Sequence, residues 1–367
     1  MNIKTLHGKL KTPFFMPDAT RGFIKSCSNN DLIMTGVEAM VVNTFHLYLQ
    51  PGIEVIKKSG GIHNFMNWQK PLVSDSGGFQ IFSLIHKNSK MGKINEEGAF
   101  FKSPLDGSSH KITPEKSIQI QFDLGTDFIV CLDDCPPYAF IERDIEISVN
   151  RTISWAKRCH DEYIKQIKRR KLKENDRPKL IAVIQGGLSR ELRKKCLDGL
   201  LEVSNEKILG ETIPFAGYGF GGRPIDENGK FLYDILSYTA NIIPKDSLKF
   251  ALGIGTPSDI VKCHKMGWNM FDCVIPTREA RHAKLYQFTK KGRELKGNFY
   301  KELNVKNSQN IFNINSINKD SKIKELQINS LSYLHHLFKL NEAKGHRLAS
   351  LNNLEFYNEI LKTLKKA

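Results

Sequence analysis

Seven short apolar runs recur along this chain of 367 residues, and most of them end in a polar or glycine-rich turn. Ala39-Met40-Val41-Val42 runs into Asn43, and Leu72-Val73 into Ser74-Asp75-Ser76-Gly77-Gly78. Phe128 to Leu132 runs into Asp133-Asp134-Cys135, and Leu180 to Ile184 into Gln185-Gly186-Gly187. Gly217 to Phe220 runs into Gly221-Gly222, Phe250 to Ile254 into Gly255-Thr256-Pro257, and the run from Met270 ends at Asp272. A continuous apolar run without alternation marks a strand buried on both faces, as in a parallel sheet. Helix-like segments lie between many of them. Asp144 to Lys168 is one, with Ile147, Val149, Ile153, Trp155 and Ala156 as its inner face; Ser258 to Met266 is a shorter one.

Strands alternating with helices predict βα units. Polar residues at the ends of many strands predict an α/β fold of the (β/α)₈ barrel type, whose active site gathers at the strand C-termini. An open doubly wound sheet would concentrate its site at one switch point. Residues 1–367 read as one barrel domain with a small C-terminal insertion. Leu354, Tyr357, Ile360, Leu361 and Leu364 stand at helical spacing, so the tail is expected to be a docking helix.

The formal net charge is +16, which favours a polyanionic partner through counterion release. Lys165 to Lys179 is a charged run that reads either as a solvated helix end or as a nucleic-acid contact. The seven scattered cysteines include no CxxC pair and argue against a disulfide framework. With no signal-peptide pattern and no apolar stretch long enough to span a bilayer, a cytoplasmic protein is expected, without membrane contact.

Asp75 and Asp272 sit at the tails of two separate runs, so they can divide the work of nucleophile and general acid/base. Arg278 and Arg281, just past Asp272, can hold phosphate. Together they point to chemistry at a sugar carbon of a nucleic acid.

Taken in order, Phe14-Phe15-Met16-Pro17, Asn43-Thr44-Phe45-His46-Leu47, Ser74 to Gln80, Gln185-Gly186-Gly187, Gly255-Thr256-Pro257, Phe271 to Arg278 and Tyr333-Leu334-His335-His336-Leu337 form a set. This set resembles the tRNA-guanine transglycosylase family, the queuine tRNA-ribosyltransferases, over nearly the whole chain. The resemblance implies a (β/α)₈ barrel that exchanges the wobble guanine of tRNAs with a G-U-N anticodon for a 7-deazaguanine, preQ1 or queuine. It implies Asp272 as nucleophile and Asp75 as general acid/base. Asp133, Gln185 and Gly222 would read the base, with Ser76 and Cys135 beside it. Arg278, Arg281 and Thr277 would hold the tRNA backbone, and a homodimer is a further implication.

The chain departs from the family pattern in three places. The family's Cys₃His zinc ligands fall on Ser321, Ile323, Leu326 and Asn352, no usable ligand set. Residues 292–353 are therefore expected to replace the zinc subdomain without a metal, with Ile311, Ile314, Ile317, Ile323 and Ile328 supplying an apolar core. No other cofactor is expected. The usual Met-Pro-Val-Gly-Thr reads Met16-Pro17-Asp18-Ala19-Thr20. The base-pocket loop carries Arg223 and Pro224, which leaves the identity of the incoming base open. Two competing readings are an enzyme that inserts the deazaguanine into DNA and a non-catalytic tRNA-binding subunit. Retention of both Asp75 and Asp272 argues against the latter.

Overall fold

The structure is a computed structural model and describes residues 1–137, 140–226, 228–289 and 294–366. An antiparallel hairpin of β1 (Asn2–Thr5) and β2 (Gly8–Lys11) leads into β3 (Phe14–Pro17), β4 (Met40–Val42) and β5 (Leu72–Ser74). A three-stranded antiparallel excursion follows: β6 (Gly92–Asn95), β7 (Gly98–Lys102) and β8 (Ser109–Ile112). The chain then returns through β9 (Phe128–Val130), β10 (Lys179–Ile184), β11 (Gly217–Phe220), β12 (Leu248–Ala251) and β13 (Met270–Cys273). A second hairpin, β14 (Lys284–Phe288) and β15 (Tyr300–Asn304), comes last.

Eight strands form one sheet in the order β3-β13-β12-β11-β10-β9-β5-β4, every pair parallel. A parallel bridge between Asp18 and Val41 joins its two edges, and the Ala19 N–H donates to the Val41 carbonyl at 2.7 Å. The sheet is thereby an almost closed barrel ringed by helices, as the sequence predicts.

Successive strand residues divide between two cores, which is why the runs do not alternate. Phe14, Met16, Val73, Val183, Phe250 and Met270 fill the barrel interior. Their neighbours Phe15, Leu72, Ala182, Ile184, Ala251 and Phe271 pack outward beneath the helices. Each large side chain so buried contributes roughly 1.5–3 kcal/mol relative to exposure. Ile3 and Leu10 of the first hairpin join the interior cluster and close the barrel at the strand N-termini.

The same end carries a polar clasp. Asp127, just before β9, accepts from the His7 N–H at 3.0 Å and the Leu72 N–H at 2.9 Å, and the His7 ring lies 3.1 Å from it. His63 Nε2 lies 3.2 Å from the other carboxylate oxygen, its ring stacked on His7. The clasp ties the hairpin to the barrel floor.

The expected helix from Asp144 spans Glu142–Arg170, with Val149, Trp155 and Ala156 buried and Ile147 exposed. Its charged C-terminal end leads into the start of β10, on the barrel face opposite the strand C-termini. There Arg170 pairs with Asp123 and Arg177 with Glu211.

The docking helix is longer than its tail signal, Ala343–Leu364, because Leu348, Ala349 and Leu351 extend the buried stripe backward. It covers a separate apolar cluster that includes Leu285, Val305, Leu326, Leu334 and Phe338. Of the five isoleucines expected there, Ile317 and Ile323 take part. Ile311, Ile314 and Ile328 are exposed, Ile314 by 87%. For Ile314 the reason lies in backbone partners well along the chain: the Leu331 N–H donates to the Asn315 carbonyl and the Ser332 N–H to the Asn313 carbonyl. The backbone of 313–315 is thereby fixed against 331–332, and the Ile314 side chain is left facing out.

Candidate active site

The interior face of the barrel has a period of two, and its next layer carries the chemistry. Two residues beyond buried Val73 is Asp75; beyond Met270, Asp272; beyond Val183, Gln185; beyond Val41, Asn43; beyond Met16, Asp18. A hydrophobic floor topped by polar groups follows directly from strand alternation.

Asp75 and Asp272 line one cavity of about 240 Å³, with Ser76, Gly77, Gly78, Asp133, Cys135 and Gly222 among the other walls. The Asp75 carboxylate accepts from Asn43 Nδ2 at 2.5 Å, the Thr44 N–H at 2.9 Å and the Gly77 N–H at 3.1 Å. Burial pushes its carboxyl up to about 7. The Thr44 N–H opposes that rise, while the charges of Asp18 and Asp272 add to it. Gly77 has φ +74°, and a Cβ there would lie 2.8 Å from the Phe45 nitrogen, so the turn demands glycine.

Asp272 Oδ1 accepts from the Gly253 N–H at 2.8 Å. Burial also pushes this carboxyl up to about 7, against the Gly253 donor and with help from Asp18. Asp133 Oδ2 accepts from Gln185 Nε2 at 2.6 Å, and burial lifts the Asp133 carboxyl to about 6. Asp134 points away, held by Arg151 at 2.5 Å. Gly221 must lack a side chain, because a Cβ would sit 2.5 Å from Gln185 Nε2.

The structure thus gathers Asp75, Asp272, Asp133, Gln185, Ser76, Cys135 and Gly222 at the strand C-termini. Arg278 and Arg281 lie on the helix Ile275–Arg281 that follows Asp272. Arg278 is half exposed against Glu279, and Arg281 donates to the Thr277 carbonyl at 2.9 Å. Thr277 is buried and donates its hydroxyl to the Val274 carbonyl at 3.2 Å, so the turn uses it internally.

Two residues escape a reading by motif. Arg193 is 2% exposed and its guanidinium donates to the carbonyls of Gly187, Ile184 and Gly221, fixing both glycine loops from behind. Nothing in the helix Arg190–Asn205 that carries it announces this. Asp18 is the other, and the inward period of Phe14 and Met16 is the signal that finds it.

The four positions of the family zinc site do not fit a metal. Ser321 Oγ donates to Glu355 at 2.5 Å, Ile323 and Leu326 sit in the apolar cluster, and Asn352 Nδ2 donates to the Tyr286 carbonyl at 3.1 Å. Among the described residues, one trio of ligand-type side chains is close enough to share an ion: His7, His63 and Asp127 of the clasp, at the other end of the barrel.

A parallel barrel with two buried carboxylates around a small cavity is equipped for glycosyl transfer, where one carboxylate attacks the sugar and the other handles protons. Comparison narrows the class. The profile of the queuine tRNA-ribosyltransferase family matches residues 1–367. The queuine tRNA-ribosyltransferase of Fusobacterium nucleatum is 39% identical over 366 residues, covering 100% of this chain and 89% of that protein. That of Halothermothrix orenii is 37% identical, covering 100% of this chain and 88% of its own length. That of Francisella tularensis subsp. novicida is 38% identical over 98% of this chain and 89% of its own. The chain belongs to the queuine tRNA-ribosyltransferase family, and is an enzyme of the pentosyltransferase class.

Proposed function

We infer that this protein exchanges a guanine in tRNA for a 7-deazaguanine, in the modification that yields queuosine. The observation that carries the reading is the pair of buried carboxylates, Asp75 and Asp272, on one cavity beside the Asp133–Gln185 pair.

Asp272 attacks ribose C1′; the C1′–O bond forms as the C1′–N9 bond to guanine breaks, and the departing base takes a proton from Asp75. In the second half the incoming base gives its own N9 proton to Asp75, that nitrogen attacks C1′, and Asp272 leaves. Two displacements retain the configuration. The division of labour follows from the charges: the Asp272 charge raises the Asp75 carboxyl, so in the working state Asp75 holds the proton and Asp272 is ionised. Asp133 accepts from the N–H edge of the guanine-like base, and Gln185 fixes its orientation; adenine would leave these groups unpaired. Arg278 and Arg281 take the phosphates, which position the tRNA.

The tRNA is one with a G-U-N anticodon, and the enzyme works in the cytoplasm; none of the described helices is long and apolar enough to cross a membrane. The C-terminal region folds without zinc, on the support of its donor-poor side chains. Incubation with radiolabelled guanine and unmodified tRNA tests the reading. Label entering tRNA with the native protein and not with Asp272→Asn is expected. Label entering a DNA duplex instead would shift the substrate to DNA, and none in either would sink the enzyme reading.

A further inference from the structure

We propose that Asp18 is a third carboxylate of the exchange site, a positioning residue at the barrel seam between the strand of Asp272 and the strand of Asn43, whose negative charge acts on both catalytic aspartates. The proposal rests on the exchange reading above.

Asp18 follows directly on β3, which lies beside β13 in the barrel; the register pairs Met16 with Asp272 and Pro17 with Cys273. On its other side Asp18 bridges Val41, two residues before the Asn43 that donates to Asp75. It therefore stands at the seam of the barrel, between the strand carrying the nucleophile and the strand carrying the partner of the acid/base. Phe14 and Met16, the preceding residues of the same face, lie in the barrel interior.

Thr20 of its own loop hydrogen-bonds it, and the titratable groups within its electrostatic reach are Asp272 and Cys273 from β13 and Asp75 just past β5. Burial raises the Asp18 carboxyl, and Thr20 opposes that rise with its hydroxyl, 3.0 Å from Oδ1, and its backbone N–H. The charge on Asp18 in turn raises Asp75, Asp272 and Cys273. Three carboxylates at one mouth retain protons at a pH where a lone carboxyl would have lost them. That is what a two-step exchange requires, since Asp75 must release a proton in the first half and recover it in the second. The departing base carries that proton away and the incoming base supplies the next, so no further reactant is needed.

A bland alternative is that Asp18 only shapes its turn by accepting from Thr20. Asp18→Asn separates the two, because it keeps an oxygen for Thr20 and removes the charge; Asp18→Val removes both. The acid limb of kcat/KM for guanine exchange is expected to move to lower pH in both variants, by roughly half a unit or more. A substrate-free carbon-13 NMR titration of the aspartate carboxyls is the second readout. Its near-neutral midpoints should fall in Asp18→Asn. Lower rates with an unmoved limb and unmoved midpoints would leave Asp18 as a turn residue and overturn the proposal. Moved midpoints in a protein without exchange activity would support the proton coupling while sinking the exchange reading.

Discussion

At the barrel mouth, burial pushes the carboxyls of Asp75 and Asp272 up to about 7, and the charged groups acting on them are other acids. Where the C-terminal region meets the barrel, Asp31 and Glu325 share one arginine, and both are held below the usual carboxylate range. Burial works against the Asp31 charge, but Arg347 donates to both of its oxygens at 2.6–3.1 Å and overrides the cost. The same arginine donates to both oxygens of Glu325 at 2.8 Å. One region leaves acids unneutralised and keeps them reactive; the other neutralises them and gains cohesion. The contrast is the ordinary trade between a strained site and its support.

The largest effect should come from the mouth. Asp272→Asn is expected to abolish exchange by roughly four orders of magnitude, as loss of a nucleophile does, while circular dichroism stays native. Asp75→Asn should cost about 10²–10⁴-fold, the usual contribution of a general acid/base. If either variant retained most of its rate, the mouth would lose its catalytic meaning.

Breaking the other region should change stability and leave chemistry alone. Arg347→Met strands Asp31, whose side chain is 4% exposed, and is expected to cost about 2–3 kcal/mol in urea unfolding with kcat little changed. Partial exposure of the arginine keeps the cost below that of a fully buried pair.

The two regions should also answer pH in opposite senses. A raised carboxyl holds a proton in the folded chain that the unfolded chain has released. The mouth therefore loses stability as pH rises from about 4 to about 7. Asp272→Asn should accordingly be about 1–2 kcal/mol more stable than the native protein at pH 8. A lowered carboxyl contributes stability above its unfolded value and loses it as pH falls below about 4, so Asp31→Asn should flatten the acid side of the stability profile. Exchange itself should fall as pH drops through about 7, because Asp272 must be ionised to attack.

Smaller effects sharpen the boundary between the regions. Arg278→Ala should raise KM for tRNA and reduce the slope of log affinity against log salt by about one. A chelator should leave the thermal midpoint unmoved and metal analysis should find no stoichiometric zinc. A large drop would show that Ser321, Ile323, Leu326 and Asn352 mislead about the C-terminal region.

Much of the site is legible in the sequence because a parallel strand buried on both faces reads as a plain apolar run. The polar residue that ends it then stands out, as Asp75 and Asp272 do. Asp133 and Gln185 are legible as types, but their mutual hydrogen bond is not, since 52 residues separate them. The isoleucines of residues 311–328 mislead because aperiodic segments take their facing from distant backbone partners.

Sequence alone determined the alternation of strands and helices, seven of the eight barrel strands and the two aspartates, because local burial patterns and turn chemistry carry that information; the eighth strand, β3, was not among the apolar runs. Tertiary structure alone decided three things. It placed Asp18 at the seam beside both aspartates, because barrel closure joins β3 to β13 and β4. It buried Arg193 behind two glycine loops that lie apart in the chain. It also assembled an apolar and ionic support for the C-terminal region from Leu326, Glu355 and Arg347. Each depends on contacts between residues far apart in sequence, and no local pattern encodes those.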